Sequence, residues 1–303
     1  MIRTRTGRVV AVVGLTISLA AACGAPAKSA DGSSELFRKL PRSYQSAREI
    51  LVGSDIRTPP LEYRGPDGSV TGMEADLAAA MGERLGVRFR FVDTPFDGLI
   101  RGLQAKKYDL VLSGMTDTPA RRDGRDAASH QVNEGVDFVD YFMAGTAVVA
   151  AKGNPKKITS FDGLCGKSIA LRSGTIHEEF TRKQSQYCSA PQVSKGGIVI
   201  QQVQSEAEAF AAVAGGQADA TMTDYPVAVY QVQTVGNGNR LEVAMSQIRP
   251  KPYGMAVRKE DGALAESLVQ AMEKMMSDGT YQEILKKWNL EQGAVYSAMI
   301  NSG

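Results

Sequence analysis

Between Ser113 and Arg121 the chain reads Ser-Gly-Met-Thr-Asp-Thr-Pro-Ala-Arg, directly after an apolar run, Asp109 to Leu112. These residue types suit a grip on the two charges of a small zwitterion. Arg121 supplies a planar fork that meets a carboxylate with two charge-assisted hydrogen bonds, a geometry Lys lacks. The Thr116 hydroxyl and the backbone groups of Gly114 and Thr116 would converge on the same point at a strand end. A Thr and an Arg at this separation are common in solvated loops, so the surrounding elements must carry the reading. Catalytic patterns are missing: there is no Ser/His/Asp arrangement and no Gly-x-Ser-x-Gly. His130 and His177 lack zinc-site spacing, and His177-Glu178 has no second His one turn on, so neither metal nor cofactor is implied.

From Glu49 onward, short β-branched runs alternate with amphipathic helices, the pattern of an α/β sheet with crossover helices. Ile50 to Gly53 is the first strand. Met73, Leu77, Met81 and Leu85 recur every four residues and predict one helix face, with Glu74, Asp76 and Glu83 elsewhere on the helix. Arg88 to Val92 alternates as a half-buried strand, Phe96 to Gln104 predicts a helix, and Asp109 to Ser113 the next strand. Val213 to Asp224 then echoes Leu103 to Gly114: helix end, turn, Asp, apolar strand, polar terminus. In each copy the candidate ligand position, Gly114 or Asp224, follows the Asp by the same spacing. Two similar lobes would each offer a strand end to one crevice, where open α/β sheets bind ligands. Crossings near Met143 to Thr146 and Met245 to Lys251 would form a hinge. A long helical segment, Ala263 to Trp288, would be broken at Asp278-Gly279-Thr280 and close back on the first lobe.

Arg3, Arg5 and Arg8 precede an uncharged stretch, Val9 to Ala22, and small residues lead into Cys23. This is an export signal, because the stretch falls short of the roughly 20 residues a membrane-spanning helix needs. It resembles a bacterial lipoprotein signal in which Cys23 is acylated, although Ala20 stands where that pattern prefers Leu, which leaves a released product as the alternative. Loss of three Arg takes the formal charge from +2 to −1. With one Trp and no basic stripe among aromatics, nucleic-acid binding is not expected. The remaining cysteines, Cys165 and Cys188, most economically form a disulfide in an exported chain.

The residues together resemble the substrate-binding components of polar amino-acid ABC importers, the family 3 solute-binding proteins. The resemblance rests on Val52-Gly53-Ser54-Asp55, Pro59-Pro60-Leu61-Glu62-Tyr63, Gly72 to Leu77, Phe96-Asp97-Gly98-Leu99-Ile100, the 113–121 run, and Val136-Asp137-Phe138 with Tyr141. It continues through Leu164 to Lys167, Ser173-Gly174-Thr175, and Asp278-Gly279-Thr280 with Lys287-Trp288. It implies a two-lobed periplasmic-binding-protein-like fold of type II, in which two α/β lobes are joined by a two-strand hinge. The implied organisation is a signal at 1–22, a flexible tether at 23–47, a first lobe from 48–144 and 250–303, and a second from 145–249.

By the same resemblance, Arg121 takes the ligand carboxylate with Thr116 beside it, and Gly114 accepts from the ammonium. Backbone N–H groups at Thr175 and Ile176 add to the carboxylate grip, Asp224 is the counter-charge to the ammonium, Asp55 meets a polar side-chain tip, and Phe96 lies over the ligand. The implied activity is capture without chemistry, outside the cytoplasm, by a monomer anchored through lipid and read by ABC permease subunits. The ligand is a polar amino acid: glutamine, glutamate or a basic amino acid. Sensing for a receptor is the alternative role, and a cyclohexadienyl dehydratase-like activity on the same fold is the enzymatic one. Three departures from the family bear on the ligand. Thr58 stands where many members have an aromatic, Arg122 to Gly135 forms a longer loop, and Arg57 and Arg172 flank the cleft. An inward-pointing Arg57 or Arg172 would favour an acidic or amide side chain; with both solvated, Asp55 would favour an amine or amide.

Overall fold

The backbone follows the predicted alternation, in a computed structural model that describes residues 1–2, 35–126 and 128–303. Cys23 and most of the expected leader lie outside the described residues. Helices α1 (Glu35–Lys39) and α2 (Arg42–Ala47) precede β1 (Glu49–Ser54). A small antiparallel sheet follows, made of β2 (Arg57–Thr58), β3 (Glu62–Arg64) and β4 (Val70–Thr71). Then come α3 (Met73–Leu85), β5 (Arg88–Asp93), α4 (Leu99–Gln104), β6 (Leu110–Val111), α5 (Pro119–Asp123) and the long β7 (Val136–Ala151). The chain continues through β8 (Ser168–Arg172), α6 (Ile176–Ser189), β9 (Val199–Val203), α7 (Glu206–Ala214), β10 (Ala220–Asp224) and α8 (Tyr225–Thr234). It returns along β11 (Leu241–Arg258) to α9 (Gly262–Ser277), α10 (Thr280–Lys287) and β12 (Met299–Ile300).

Among the described residues, the main sheet runs β5-β1-β6-β11-β7-β10-β8-β9, with β12 added to β7. β1 is parallel to β5 and β6, and β8 is parallel to β9 and β10, so each end of the sheet is a parallel layer built through crossover helices. The antiparallel pair β7 and β11 runs through both halves. Its register slips between Val243 and Met245, between Met245 and Ile248, and between Ile248 and Lys251. Bulges locally bend and twist a strand pair, and the second and third of these slips fall within residues 245–251.

The periodic helix face is as expected: Met73, Leu77, Met81 and Leu85 are all buried. The internal echo has a physical basis. Asp109 accepts the Leu51 N–H at 2.8 Å in one half, and Asp219 accepts the Ser168 N–H at 3.0 Å in the other. Each Asp ties its turn to the neighbouring strand, so the strand after it starts in a fixed register. β6 covers Leu110–Val111, shorter than the expected 109–113, although the Asp109 and Leu112 N–H groups still donate to β1 carbonyls.

One expectation needs correcting. Residues 35–47, assigned to the flexible tether, form α1 and α2, with Phe37 and Leu40 buried in the main core. Their i, i+3 spacing gives a short apolar face that packs on α3 and α9, and the Arg48 guanidinium lies 4.1 Å from the Phe37 ring centroid. A polar, Ala-rich composition concealed two anchoring side chains.

Cys165 and Cys188 form a disulfide with Cα atoms 5.4 Å apart, joining the end of α6 to the turn before β8. It closes a loop of 23 residues, and loop-closure entropy alone assigns it about 3 kcal/mol of stability. The double variant Cys165→Ser/Cys188→Ser is expected to lose that amount in chemical denaturation. An unchanged midpoint would mean that the packing around Cys188 does the work instead.

Candidate functional site

The end of β6 is a platform. Gly114 adopts φ +53°, and a Cβ there would lie 2.8 Å from Leu61 Cδ1, so the backbone comes close to its neighbour only because no side chain intervenes. Its N–H donates to Glu74 Oε1 at 2.7 Å, and the Tyr141 hydroxyl donates to the same oxygen. Ser113 Oγ accepts the Asp55 N–H at 3.0 Å and donates to Glu62 Oε1 at 2.7 Å. Two buried carboxyl groups, Glu62 and Glu74, thus hold the platform from behind. Glu74 was placed off the buried face of its helix. Its spacing to Leu77, Ala78 and Met81 instead puts it at the edge of that face, where it reaches the strand ends.

Burial, then the charge of Glu74, pushes Glu62 well above the usual carboxylate range, while hydrogen bonds from Glu62, Tyr141 and Gly114 offset part of the rise at Glu74. Burial is the leading cause of the rise at both groups. A raised folded value contributes stability that is full below the ordinary glutamate range and is lost as pH rises through the folded value. Glu62→Gln is expected to flatten the decline in unfolding free energy as pH rises above the ordinary glutamate range. A decline identical to that of the parent would rule out a raised Glu62 carboxyl.

Arg121 owes its position to a local signal. Thr118 caps α5 by accepting the Arg121 N–H at 3.2 Å, Pro119 starts the helix, and Gly124 ends it at φ +67°. The Arg121 guanidinium donates from Nη1 to the Thr116 carbonyl at 2.7 Å and from Nη2 to the Gly174 carbonyl at 3.2 Å. It also sits 5.6 Å from the Phe96 ring centroid. Burial pulls it down to about 10, with Asp224 and then Glu179 opposing, so it is charged at neutral pH. Arg122 turns away, donating to the carbonyls of Asn301 at 2.7 Å and Gly303 at 2.5 Å. Of the two guanidinium groups, that of Arg121 is the one beside Thr116, Gly174 and the Phe96 ring.

The second half presents the N-terminus of α6. Thr175 caps it, accepting the Glu178 N–H at 3.2 Å and donating to the Arg172 carbonyl at 2.8 Å. The Thr175 hydroxyl is thereby used, while the first N–H groups of a helix have no intrahelical partner and favour an anion. Gly174, at φ +78°, would place a Cβ 2.9 Å from the Asp97 Cα, so the two lobes touch at this turn. Asp224 ends β10 and precedes α8, yet its side chain makes no capping hydrogen bond. Its Oδ1 lies 3.5 Å from His177 Nε2, and its charge ranks directly after burial in raising the Tyr253 hydroxyl well above its ordinary range.

At the other end of the cleft, Asp55 is buried and fully engaged. Oδ1 accepts from Arg57 Nε at 2.8 Å, Oδ2 accepts the Phe96 N–H at 3.2 Å, and Arg172 Nη1 is 3.7 Å from Oδ2. Phe96 belongs to the core cluster with Leu99 and Tyr108, and the same ring lies beneath both Arg121 and Arg172, so it serves core and cleft together. Of the two alternatives open for Arg172, the inward one is observed, and Glu206 and Glu74 join the site without having been among its expected residues. Glu206 opens α7 as an ordinary first-turn acid, and nothing in its spacing announces a buried contact with Arg172 on another strand. Two cavities, of about 380 and 460 Å³, are both lined by Thr118 and Ala120 near α5 and by Ile176 and Glu179 of α6, and Arg121 lines the larger. Among the described residues, no cluster of three or more His, Cys, Asp or Glu is placed to hold a metal ion, and no helix is long and apolar enough to cross a membrane.

Residues 50–291 match the family model of bacterial extracellular solute-binding proteins, family 3. The arginine-binding protein ArgT of Corynebacterium glutamicum is 28% identical over 88% of this chain and 83% of its own length. The ABC transporter arginine-binding protein 1 of Escherichia coli K12 is 31% identical, over 80% of this chain and 91% of its own. Among solved structures, an ancestral arginine-binding protein bound to arginine superposes with a TM-score of 0.70 at 34% identity, over 79% of this chain and 97% of its own.

Proposed function

The chain belongs to the bacterial extracellular solute-binding proteins of family 3, and on that footing we propose that it captures a polar L-amino acid between two lobes for an ABC importer. The observation that carries this reading is the pairing of opposite charges between the lobes: the Asp224 carboxylate of the second is the leading charge that offsets burial of the Arg121 guanidinium of the first. The ligand carboxylate would lie between the Arg121 fork, the Thr116 hydroxyl and the N–H groups of Thr175 and Ile176. Its ammonium would meet the Gly114 carbonyl and Asp224, with Phe96 over the chain. Both charges of a zwitterion lose water on burial, and each then has a charged partner to offset that loss.

A ligand touching both lobes binds the closed arrangement better than an open one, which suffices to shift the population toward closure. Contacts of closure are already present: Arg121 with the Gly174 carbonyl, Arg172 with Thr58, and Gly174 against Asp97. In this reading the first lobe comprises 48–144 and 250–303, the second 145–249, and the slipped β7–β11 register between them is the hinge. Residues 1–22 direct export, Cys23 carries a lipid anchor, and permease subunits receive the closed form.

Isothermal titration of the purified protein with each of the twenty amino acids tests this. Saturable heat with the amino acid recovered unchanged is expected. Turnover of prephenate or arogenate, or no binding of any amino acid, would overturn it.

A further inference from the structure

The anionic end of the cleft already contains a guanidinium, and it belongs to the protein. Arg172, the last residue of β8, is 5% exposed. Its Cζ lies 4.3 Å from the Phe96 ring centroid, and its Nη1 donates to Thr58 Oγ1 at 3.0 Å and is 3.7 Å from Asp55 Oδ2. Its Nε is 3.2 Å from Glu206 Oε1. An aromatic face, a hydroxyl and two carboxylates are what the side chain of a bound arginine would seek, since guanidinium groups stack on rings and pair with carboxylates. Arg57 meanwhile occupies the other oxygen of Asp55.

We propose that Arg172 fills the cation subsite of the cleft from within, so that this protein discriminates against arginine and lysine and selects an amino acid whose side chain ends in an oxygen acceptor, an amide or a carboxylate. The inference rests on the amino-acid-capture reading and deepens it. A basic ligand would have to displace a buried guanidinium from its ring and carboxylates, or place a second cation beside it. Either route forfeits the pairing that makes a buried charge tolerable. An acceptor-tipped ligand gains from the same residue: no described acceptor takes a hydrogen bond from Arg172 Nη2, which leaves donors for a carbonyl or carboxylate oxygen. Thr58, at the position where an aromatic was expected, is small enough to be the hydroxyl partner of Arg172 rather than a wall against the ligand.

Titration of the wild-type protein with glutamine, asparagine, glutamate, aspartate, arginine and lysine tests the proposal without any variant. At least one of the first four is expected to bind tenfold or more tightly than both basic amino acids, and comparing the amide pair with the carboxylate pair identifies the tip. Arg172→Gln removes the internal cation and is expected to reverse the order, with arginine gaining at least tenfold and the preferred acceptor-tipped ligand losing at least tenfold. Wild-type protein that binds arginine best, or an Arg172→Gln variant of unchanged melting temperature in which arginine binding weakens, would overturn it. Failure of the wild type to bind any of the twenty amino acids would instead remove the capture reading, and this inference with it.

Discussion

Arg121→Ala is expected to weaken binding of the amino-acid ligand by about 10³-fold, on the order of 4 kcal/mol, while the melting temperature of the free protein moves little. The size follows from geometry. The Arg121 fork is anchored by the Thr116 and Gly174 carbonyls, so it is pre-aimed, and its loss leaves a buried carboxylate with only a hydroxyl and helix N–H donors. The small effect on stability follows from its place in the chain. Arg121 is half-buried on a five-residue helix whose start and stop are set by Thr118, Pro119 and Gly124, none of which depends on the guanidinium. Titration and thermal unfolding of the same preparation separate the two effects. Comparable losses of fold and affinity would make Arg121 a structural residue, and the grip would need another cation.

Asp224→Asn should cost about 10²–10³-fold in affinity for amino acids, roughly 3–4 kcal/mol, because a buried ammonium loses its only full counter-charge. Deaminated analogues that keep the carboxylate should bind the variant and the parent alike, since nothing on them faces position 224. The free protein should not be destabilised: Asp224 makes no capping hydrogen bond, and its charge works against the buried Glu206. If both ligand types weaken together, Asp224 shapes the cleft instead of pairing with the ammonium.

Much of this architecture is legible along the chain because it is carried by local patterns. The α3 face and the break at Asp278-Gly279-Thr280 between α9 and α10 are each set by residues within a few positions of one another, whereas the Asp109 and Asp219 turns are legible as a repeated pattern although each Asp is anchored on a distant strand. The capped start of α5 is local like the α3 face and puts Arg121 beside Thr116. Misreadings arose where burial depended on distant partners. Phe37 and Leu40 are anchors only because α3 and α9 pass beneath them, and Glu74 is buried only because β6 and Tyr141 bring donors to it.

The amino-acid sequence by itself determined an α/β chain with an internal echo, a strand end followed by Thr116 and the Arg121 fork, and a pair of cysteines placed to close one loop. Periodicity, capping and turn chemistry act over a few residues and survive without knowledge of the rest of the molecule. Tertiary structure alone decided which charges meet. Arg172 and Asp55 are 117 positions apart and Arg172 and Glu206 are 34 apart, yet sheet topology and lobe contact bring both carboxyl groups to the one guanidinium that lies over Phe96. Electrostatic pairing depends on distance and dielectric in space, not on separation along the chain, so whether the cleft holds its own cation is a property of the folded molecule.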